Sequence, residues 1–274
     1  MDQSLRKLQL TQLEILRFVD AFCKENHIQY SLYAGTLLGA IRHGGFIPWD
    51  DDLDICMERS EYERFLLLWE KQVPEGYLLQ NKENTPLFTQ SFSKIRKEHT
   101  CFLQNEMERG RYHTGIFVDV FPIDRMPNLI WDRVLFQWKG MHYQLLTREF
   151  VPSKASVPIK MVSGLLLMAI PERRRKQVRE RDLLFLKSFH DVSLPRVAIE
   201  TMSSLRMPLP SDLLDQYVDC PFEGELFPVF KNWEGYLRCK FGDYMTLPPE
   251  SERTWKHHPI ILNFEHDLEE LEHE

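Results

Sequence analysis

The chain has 274 residues, 43% of them hydrophobic and 27% charged, which is globular composition with enough apolar material for a core. With 34 basic against 41 acidic residues the net charge is −7, which argues against bulk binding to nucleic-acid phosphates and leaves nucleic acid out of the expected partners. Five cysteines (Cys23, Cys56, Cys101, Cys220, Cys239) form no CxxC pair, which argues against a zinc ribbon or a redox motif and suits a reducing compartment.

In chain order, residues 3–26 carry Leu5, Leu8, Ile15, Val19 and Phe22 at roughly helical spacing, with charges between them, and a helix is expected there. "IQYSLYAG" (28–35) predicts a strand ending at Gly35, and "TLLGAIRH" (36–43) a short helix closed by Gly44 and Gly45. "LDICM" (53–57) predicts a second strand. Ser60, with Glu63 three residues on, has the pattern of an N-cap for a helix through "EYERFLLLWEKQ". Further strands are expected at "YLLQ", at 88–97 and at "GIFVDVFPID" (115–124), the last stopped by Pro122. A helix is expected over 131–147, carrying Trp131, Leu135, Trp138 and His142. Residues 153–206 mix prolines with helical patterns. The proline-rich 207–230 predicts long ordered loops, 233–245 a short helix ending near Gly242, and the acidic 265–274 a fraying helix or an appended tail.

The chain's most unusual stretch is "GGFIPWDDDLDICM" (44–57), in which Asp50, Asp51, Asp52 and Asp54 are crowded between apolar residues. On a strand, residues two apart share a face, so Asp52 and Asp54 are expected to point the same way. Two ionised carboxylates on one buried face are costly unless a cation lies between them, and Mg²⁺ prefers such oxygen ligands. A solvated acidic turn is the plainer explanation, and it suits Asp51 best. "FVDVF" (117–121) places one more carboxylate, Asp119, among apolar residues, as a third ligand or as a carboxylate bonded within the core. "YAGTLLGAIR" completes the set. A helix starting at Thr36 directly after Gly35 presents unpaired amides suited to a phosphate.

These stretches together resemble a known family. Strand–Gly–Thr–helix, then Asp-x-Asp on a strand, then one Asp on a later strand, is similar to the nucleotidyltransferase fold of the polymerase β type. More narrowly, "GTLLGAIRHGGFIPWDDDLDI" (35–55) resembles the first motif of the LicD family of phosphorylcholine transferases, related to fukutin and the fukutin-related protein. "SKIRKEHT" (93–100) resembles the family's basic strand. "GIFVDVFPID" resembles its Asp-Ile-Phe-Pro motif, with Val120 where Ile is usual, and "PFEGELFPV" (221–229) and "FGDYMTLPPESER" (241–253) resemble its C-terminal blocks.

The resemblance implies an α/β (α+β) fold: a nucleotidyltransferase-like mixed sheet flanked by helices over 1–150, with a helical and loop-rich part over 151–274 that completes the acceptor site. It implies transfer of phosphocholine from CDP-choline to a sugar hydroxyl of a glycan, such as a teichoic acid or lipopolysaccharide precursor, free or lipid-linked, with release of CMP. Siblings use CDP-ribitol or CDP-glycerol. A true nucleotidyltransferase and a non-catalytic glycan-binding scaffold also accord with the fold. Asp52, Asp54 and Asp119 would hold Mg²⁺, with Mn²⁺ as a substitute. Asp119 would also serve as base, with Asp50 a second candidate base or an outer ligand. Gly35, Thr36, Arg42, Lys94 and Arg96 would hold the donor phosphates. Arg42 and Arg96 equally suit structural roles, as a helix cap and a surface cation, and His43 is expected to be structural. Trp49, Tyr33, Phe46, Trp233 and Tyr236 offer aromatic faces to a quaternary ammonium, though core packing suits each one as well. His257 and His258 are expected at the surface.

No basic-then-apolar leader opens the chain, and the most apolar stretch, Gly164–Ile170, is shorter than the roughly 20 residues that span a bilayer. The expected location is therefore cytoplasmic. Residues 157–181 join an apolar stretch to a basic run. They suit either a core helix followed by a solvated one, or peripheral contact with an anionic inner leaflet.

Overall fold

The computed structural model describes residues 3–151, 156–201 and 203–273. It opens with α1 (Gln3–Glu25), whose apolar stripe is buried as its periodicity requires. After the two-residue β1 (Ser31–Leu32), α2 (Ala34–His43) ends at Gly44 in the left-handed conformation. The strand expected over 28–35 is cut short because α2 begins at Ala34, two residues before Thr36. Next come β2 (Asp54–Glu58) and α3 (Arg59–Gln72). Ser60 does not cap α3, since the helix has already begun at Arg59. α3 buries Tyr62, Phe65 and Trp69, and Phe18 and Phe22 of α1 pack edge-on against Trp69 and Phe65 at centroid distances of 5.9 and 5.5 Å.

The strands β3 (Tyr77–Gln80), β4 (Ser93–Lys97), β5 (Cys101–Leu103) and β6 (Phe117–Arg125) follow. Of the strand expected over 88–97, only the second half forms. Pro122 does not stop β6. It lies between the residues in register with β4 (117–120) and those in register with the later β7 (123–125), so no ladder bond there needs its missing N–H. Three helices come next: α4 (Ile130–Arg148), α5 (Val157–Ala169) and α6 (Glu172–Leu186). The helical pattern read over 153–206 falls partly outside the described residues, at 153–155 and 202. β7 (Arg196–Ala198) pairs with the end of β6.

The loops expected over 207–230 are instead largely a hairpin, β8 (Tyr217–Phe222) and β9 (Glu225–Phe230). Its two-residue turn places Glu223 and Gly224 at φ 53° and 82°, the geometry that matches strand twist. Pro221 and Pro228 are tolerated because each strand of a lone hairpin has an edge. The chain closes with α7 (Trp233–Phe241), ending at Gly242 as expected, then β10 (Ile261–Asn263) and α8 (Leu268–His273). β10 pairs with β5, a contact that nothing in the sequence pattern announces. Residue 274, the end of the expected acidic helix, lies outside the described residues.

This is an α+β fold, with a mixed sheet in the order β1-β2-β6-β4-β3, extended beyond β6 by β7. The chain forms two compact units, neither of them continuous in sequence. One holds residues 1–80, 93–122 and 212–274, so the C-terminal hairpin and tail belong with the N-terminal strands; the other holds 81–92 and 123–211. The second unit has its own core around Met126, Phe136, Leu186, Val197, Ile199 and Leu205. α5 is not the core helix that its composition suggested. It buries only Ser163 and Leu167. No helix among the described residues is long and apolar enough to cross a membrane. Cys23, Cys56, Cys101 and Cys220 are buried outside any disulfide among the described residues, and Cys239 is exposed.

Candidate active site

All the carboxylates singled out in the sequence lie in the first unit. The segment before β2 folds inward because α1 supplies buried amides for its carbonyls. Gln9 Nε2 donates to the Asp50 carbonyl at 2.9 Å, and Gln12 Nε2 to the Asp51 carbonyl at 2.9 Å. Neither glutamine was identified from sequence; both interrupt the apolar stripe of α1, and that interruption was the available signal. The hairpin turn braces the same segment. Glu223 accepts from the Phe46 N–H at 3.0 Å and pairs with Arg6. It passes so close to Gly45 that a Cβ there would lie 2.3 Å from Glu223 Oε1.

The four aspartates have distinct surroundings. Asp50, 2% exposed, accepts from Lys256 Nζ at 2.7 Å. Burial and the nearby charge of Asp52 push its carboxyl up to about 7, against the pull of Lys256. Its other oxygen lies against the first turn of α2, where a Cβ on Gly35 would come within 2.6 Å of Oδ2. Asp51 is fully buried, which removes the solvated turn that was the alternative for it. It accepts the His257 N–H at 2.8 Å and lies 3.0 Å from His257 Nδ1. Burial would raise its pKa, but the bonds from His257 outweigh this and hold it below the usual carboxylate range. The His257 bond to Asp51 in turn raises the imidazole.

Asp52 lies just before β2, half-buried, with Oδ2 3.9 Å from His257 Nδ1. Its Oδ1 is buried and has no hydrogen-bond partner among the described residues. Asp54 opens β2, and its backbone N–H is received by Thr36 Oγ1 at 2.8 Å. The Thr36 hydroxyl is thus used to fasten α2 to β2. Asp119 stands in register with Lys94 on adjacent antiparallel strands, and Lys94 Nζ donates to its Oδ1 at 2.6 Å. Burial and the charge of Asp52 raise Asp119 above its ordinary value despite Lys94. Burial also lowers the Lys94 ammonium, which lies 3.2 Å from the centroid of the Phe117 ring.

The cations predicted to hold phosphates divide. Lys94 sits within the carboxylate group. Arg96 is buried and committed elsewhere, donating to Gln80 Oε1 at 2.7 Å and the Gly115 carbonyl at 2.6 Å. It is therefore not a surface cation. Arg42 donates to the Tyr244 carbonyl at 2.9 Å; burial and the charge of Arg253 lower its pKa, while Asp50 acts the other way. Lys256 and His257 were missed as site residues. The paired histidines after a proline-rich block gave no local sign that His257 meets Asp51. His258 is exposed at the surface as expected, whereas His257 is partly buried. Among the aromatic candidates, Tyr33 already carries Lys240 Nζ at 4.7 Å and Trp49 carries Arg253 at 5.5 Å, while Phe46 packs on Phe222.

An oxygen-rich group of carboxylates, one with an unpartnered buried oxygen, fits a hard divalent cation. Asp51, Asp52 and His257 offer ligand atoms within 4.8 Å of one another, although the hydrogen bonds of His257 tie it to Asp51.

Comparison with known proteins adds a lineage to this geometry. Residues 27–160 match the family described as LicD/FKTN/FKRP, nucleotidyltransferase domain. The lipopolysaccharide cholinephosphotransferase LicD of Haemophilus influenzae is 30% identical over 261 residues, covering 93% of this chain and 96% of that protein. An uncharacterised protein of Rickettsia prowazekii is 24% identical over 168 residues, covering 52% of this chain and 63% of its own length. An uncharacterised Rickettsia typhi protein is 32% identical over 77 residues, 28% of this chain and 25% of its own length. The matched stretch contains the aspartate segment, β4 and β6, and the similarity to the Haemophilus protein runs through nearly all of both chains: this chain belongs to the LicD family.

Proposed function

We propose that the protein transfers phosphocholine from CDP-choline to a sugar hydroxyl of a cell-surface glycan, a lipopolysaccharide or teichoic acid precursor, and releases CMP. The observation that carries this is the group of buried Asp50, Asp54 and Asp119 and half-buried Asp52 with its cations Lys94 and Lys256, in a chain similar over nearly all its length to a cholinephosphotransferase. Asp52, Asp54 and Asp119 would hold Mg²⁺ or Mn²⁺, which supplies charge neutralisation at the donor diphosphate. The unpartnered Asp52 Oδ1 supports that role.

The chain's own residues do the rest. Lys94 and Lys256 set positive charge beside the carboxylates, where phosphate oxygens gather charge in the transition state. The acceptor oxygen attacks the phosphorus that bears choline, the bond from that phosphorus to the CMP oxygen breaks, and the hydroxyl proton passes to a carboxylate. Asp119 and Asp50 both have raised pKa values suited to receiving it. Gly35 leaves space for the Asp50 carboxylate, and Thr36 and Arg42 hold the walls around it. The exposed apolar residues of α5 support peripheral contact with the inner leaflet of the membrane, where a lipid-linked acceptor would lie.

The test is CMP release by the purified protein from a panel of CDP-alcohols, with lipopolysaccharide and teichoic precursors as acceptors, with and without Mg²⁺. Metal-dependent CMP from CDP-choline is expected. Preference for CDP-ribitol or CDP-glycerol would replace choline, and pyrophosphate from a nucleoside triphosphate would overturn the reaction type.

A further inference from the structure

The second unit holds a groove of ≈ 300 Å³ between α4 and α5, near the lower end of small-ligand sites in size. One wall is apolar, formed by Trp138, Leu145, Ile159, Val162 and Leu166. Beside it the lining is polar in an unusual way. Gln144 is 4% exposed, yet neither its Oε1 nor its Nε2 has a hydrogen-bond partner among the described residues. His142 is held through Nδ1 by the buried Asp182 at 2.5 Å, and its Nε2 is likewise without a partner there. A polar group buried without a partner is destabilising, so two along one groove call for a ligand.

Charge points the same way. Arg148 and Arg206 also line the groove, and no acidic side chain among the described residues does. Arg148 is half-buried with no carboxylate partner among the described residues, and burial lowers its pKa. The same two helices also expose Trp131, Val134, Met161, Leu165 and Met168. A ligand that satisfies all of this has a hydrocarbon chain and an anionic, hydrogen-bonding head.

We propose that this groove binds a phosphate ester of a long hydrocarbon chain: the lipid-phosphate end of the carrier on which the acceptor glycan is borne. The chain lies along the α4–α5 wall, and the phosphate meets Arg148 and Arg206, with Gln144 and His142 as further partners. The assignment to a carrier rests on the lipid-linked acceptor named above; the site itself rests on the groove.

The test is saturable binding of decyl phosphate to the full chain by calorimetry, with decanol and inorganic phosphate as comparators. Decyl phosphate is expected to bind at least about tenfold more tightly than either. Arg148→Ala with Arg206→Ala should cost roughly tenfold or more in decyl phosphate affinity and leave decanol unchanged. Val162→Glu, at a position 51% exposed and so tolerant of charge, should weaken both. Flotation with phosphatidylcholine vesicles should respond to a polyprenyl phosphate more than to phosphatidylglycerol at equal charge. Absence of saturable binding, or equal binding by wild type and both variants, would overturn the site. Equal response to the two vesicle types would overturn the carrier assignment. CMP release with a lipid-free acceptor, measured on the same preparations, should be equal in all of them. Silence there with decyl phosphate binding intact counts against the transferase reading alone.

Discussion

Asp52 is the residue on which the metal reading turns. Its buried Oδ1 lacks a partner among the described residues, so replacing the carboxylate by an amide removes charge without breaking any recorded bond to that atom. Asp52→Asn is expected to lower turnover by more than roughly a hundredfold, the several kcal/mol that a bound metal supplies, while the melting temperature stays near that of the wild type. Turnover retained within a few-fold would remove Asp52 from the ligand set. Gly35 is a second residue-scale case. Any Cβ there meets Asp50 Oδ2 at 2.6 Å, so Gly35→Ala must displace either α2 or the carboxylate. The expected cost is about 1–3 kcal/mol in denaturant unfolding, the usual range for overpacking, together with loss of activity. An unchanged midpoint would show that the first turn of α2 yields freely.

At the scale of elements, α4 and α6 are clasped by one buried acid. Asp182 of α6 receives Lys139 Nζ at 2.6 Å and faces His142 Nδ1 at 2.5 Å, both on α4. Burial would raise its pKa, but the bonds from His142 and Lys139 prevail and hold it low. A depressed folded pKa means stability that is present above the unfolded value of about 3.9 and is lost as pH falls through the folded value. Asp182→Asn should therefore cost about 3–5 kcal/mol near pH 7, as removal of one partner of a buried pair does. The gap from wild type should shrink below about pH 4. Urea denaturation at several pH values checks this, and a gap that stays constant into acid would refute it. α1 makes a similar case. Gln9→Leu strips donors from the Ile47 and Asp50 carbonyls and should cost about 1–3 kcal/mol in the same assay.

For the whole molecule, the discontinuous first unit has a clear consequence. Residues 212–274 contribute the hairpin that braces Gly45 and the Lys256 and His257 that neutralise Asp50 and Asp51. A chain ended after Ser211 should lose cooperative thermal unfolding in the first unit, because two buried aspartates are left without partners. A sharp, native-like transition in that truncated chain would show that the tail only decorates the unit. Metal should act globally too. At a hundredfold excess over Kd, Mg²⁺ is expected to add about 2.7 kcal/mol to the stability of the intact protein and nothing to that of Asp52→Asn. Calorimetry with and without chelator distinguishes these outcomes.

Helix periodicity in α1 and α4, the strands around Asp54 and Asp119, and the crowding of aspartates between apolar residues were all legible in the sequence. These are local properties: backbone geometry sets a repeat of 3.6 or 2, and a charge inside an apolar run is visible where it stands. The hairpin was hidden because prolines that suit an edge strand suggest a loop when its pairing is unknown. The partners within the site were hidden for a stronger reason. Lys256 meets Asp50, and His257 meets Asp51, across a sequence separation of 206 residues, and neither segment carries a local mark of the other. Which aspartate is neutralised, which keeps an unpartnered oxygen, and which apolar helix stays exposed are outcomes of long-range packing. The sequence alone determined the family, through the long motif around its aspartates; the tertiary structure decided the distribution of charge, because burial and pairing exist only once distant segments meet.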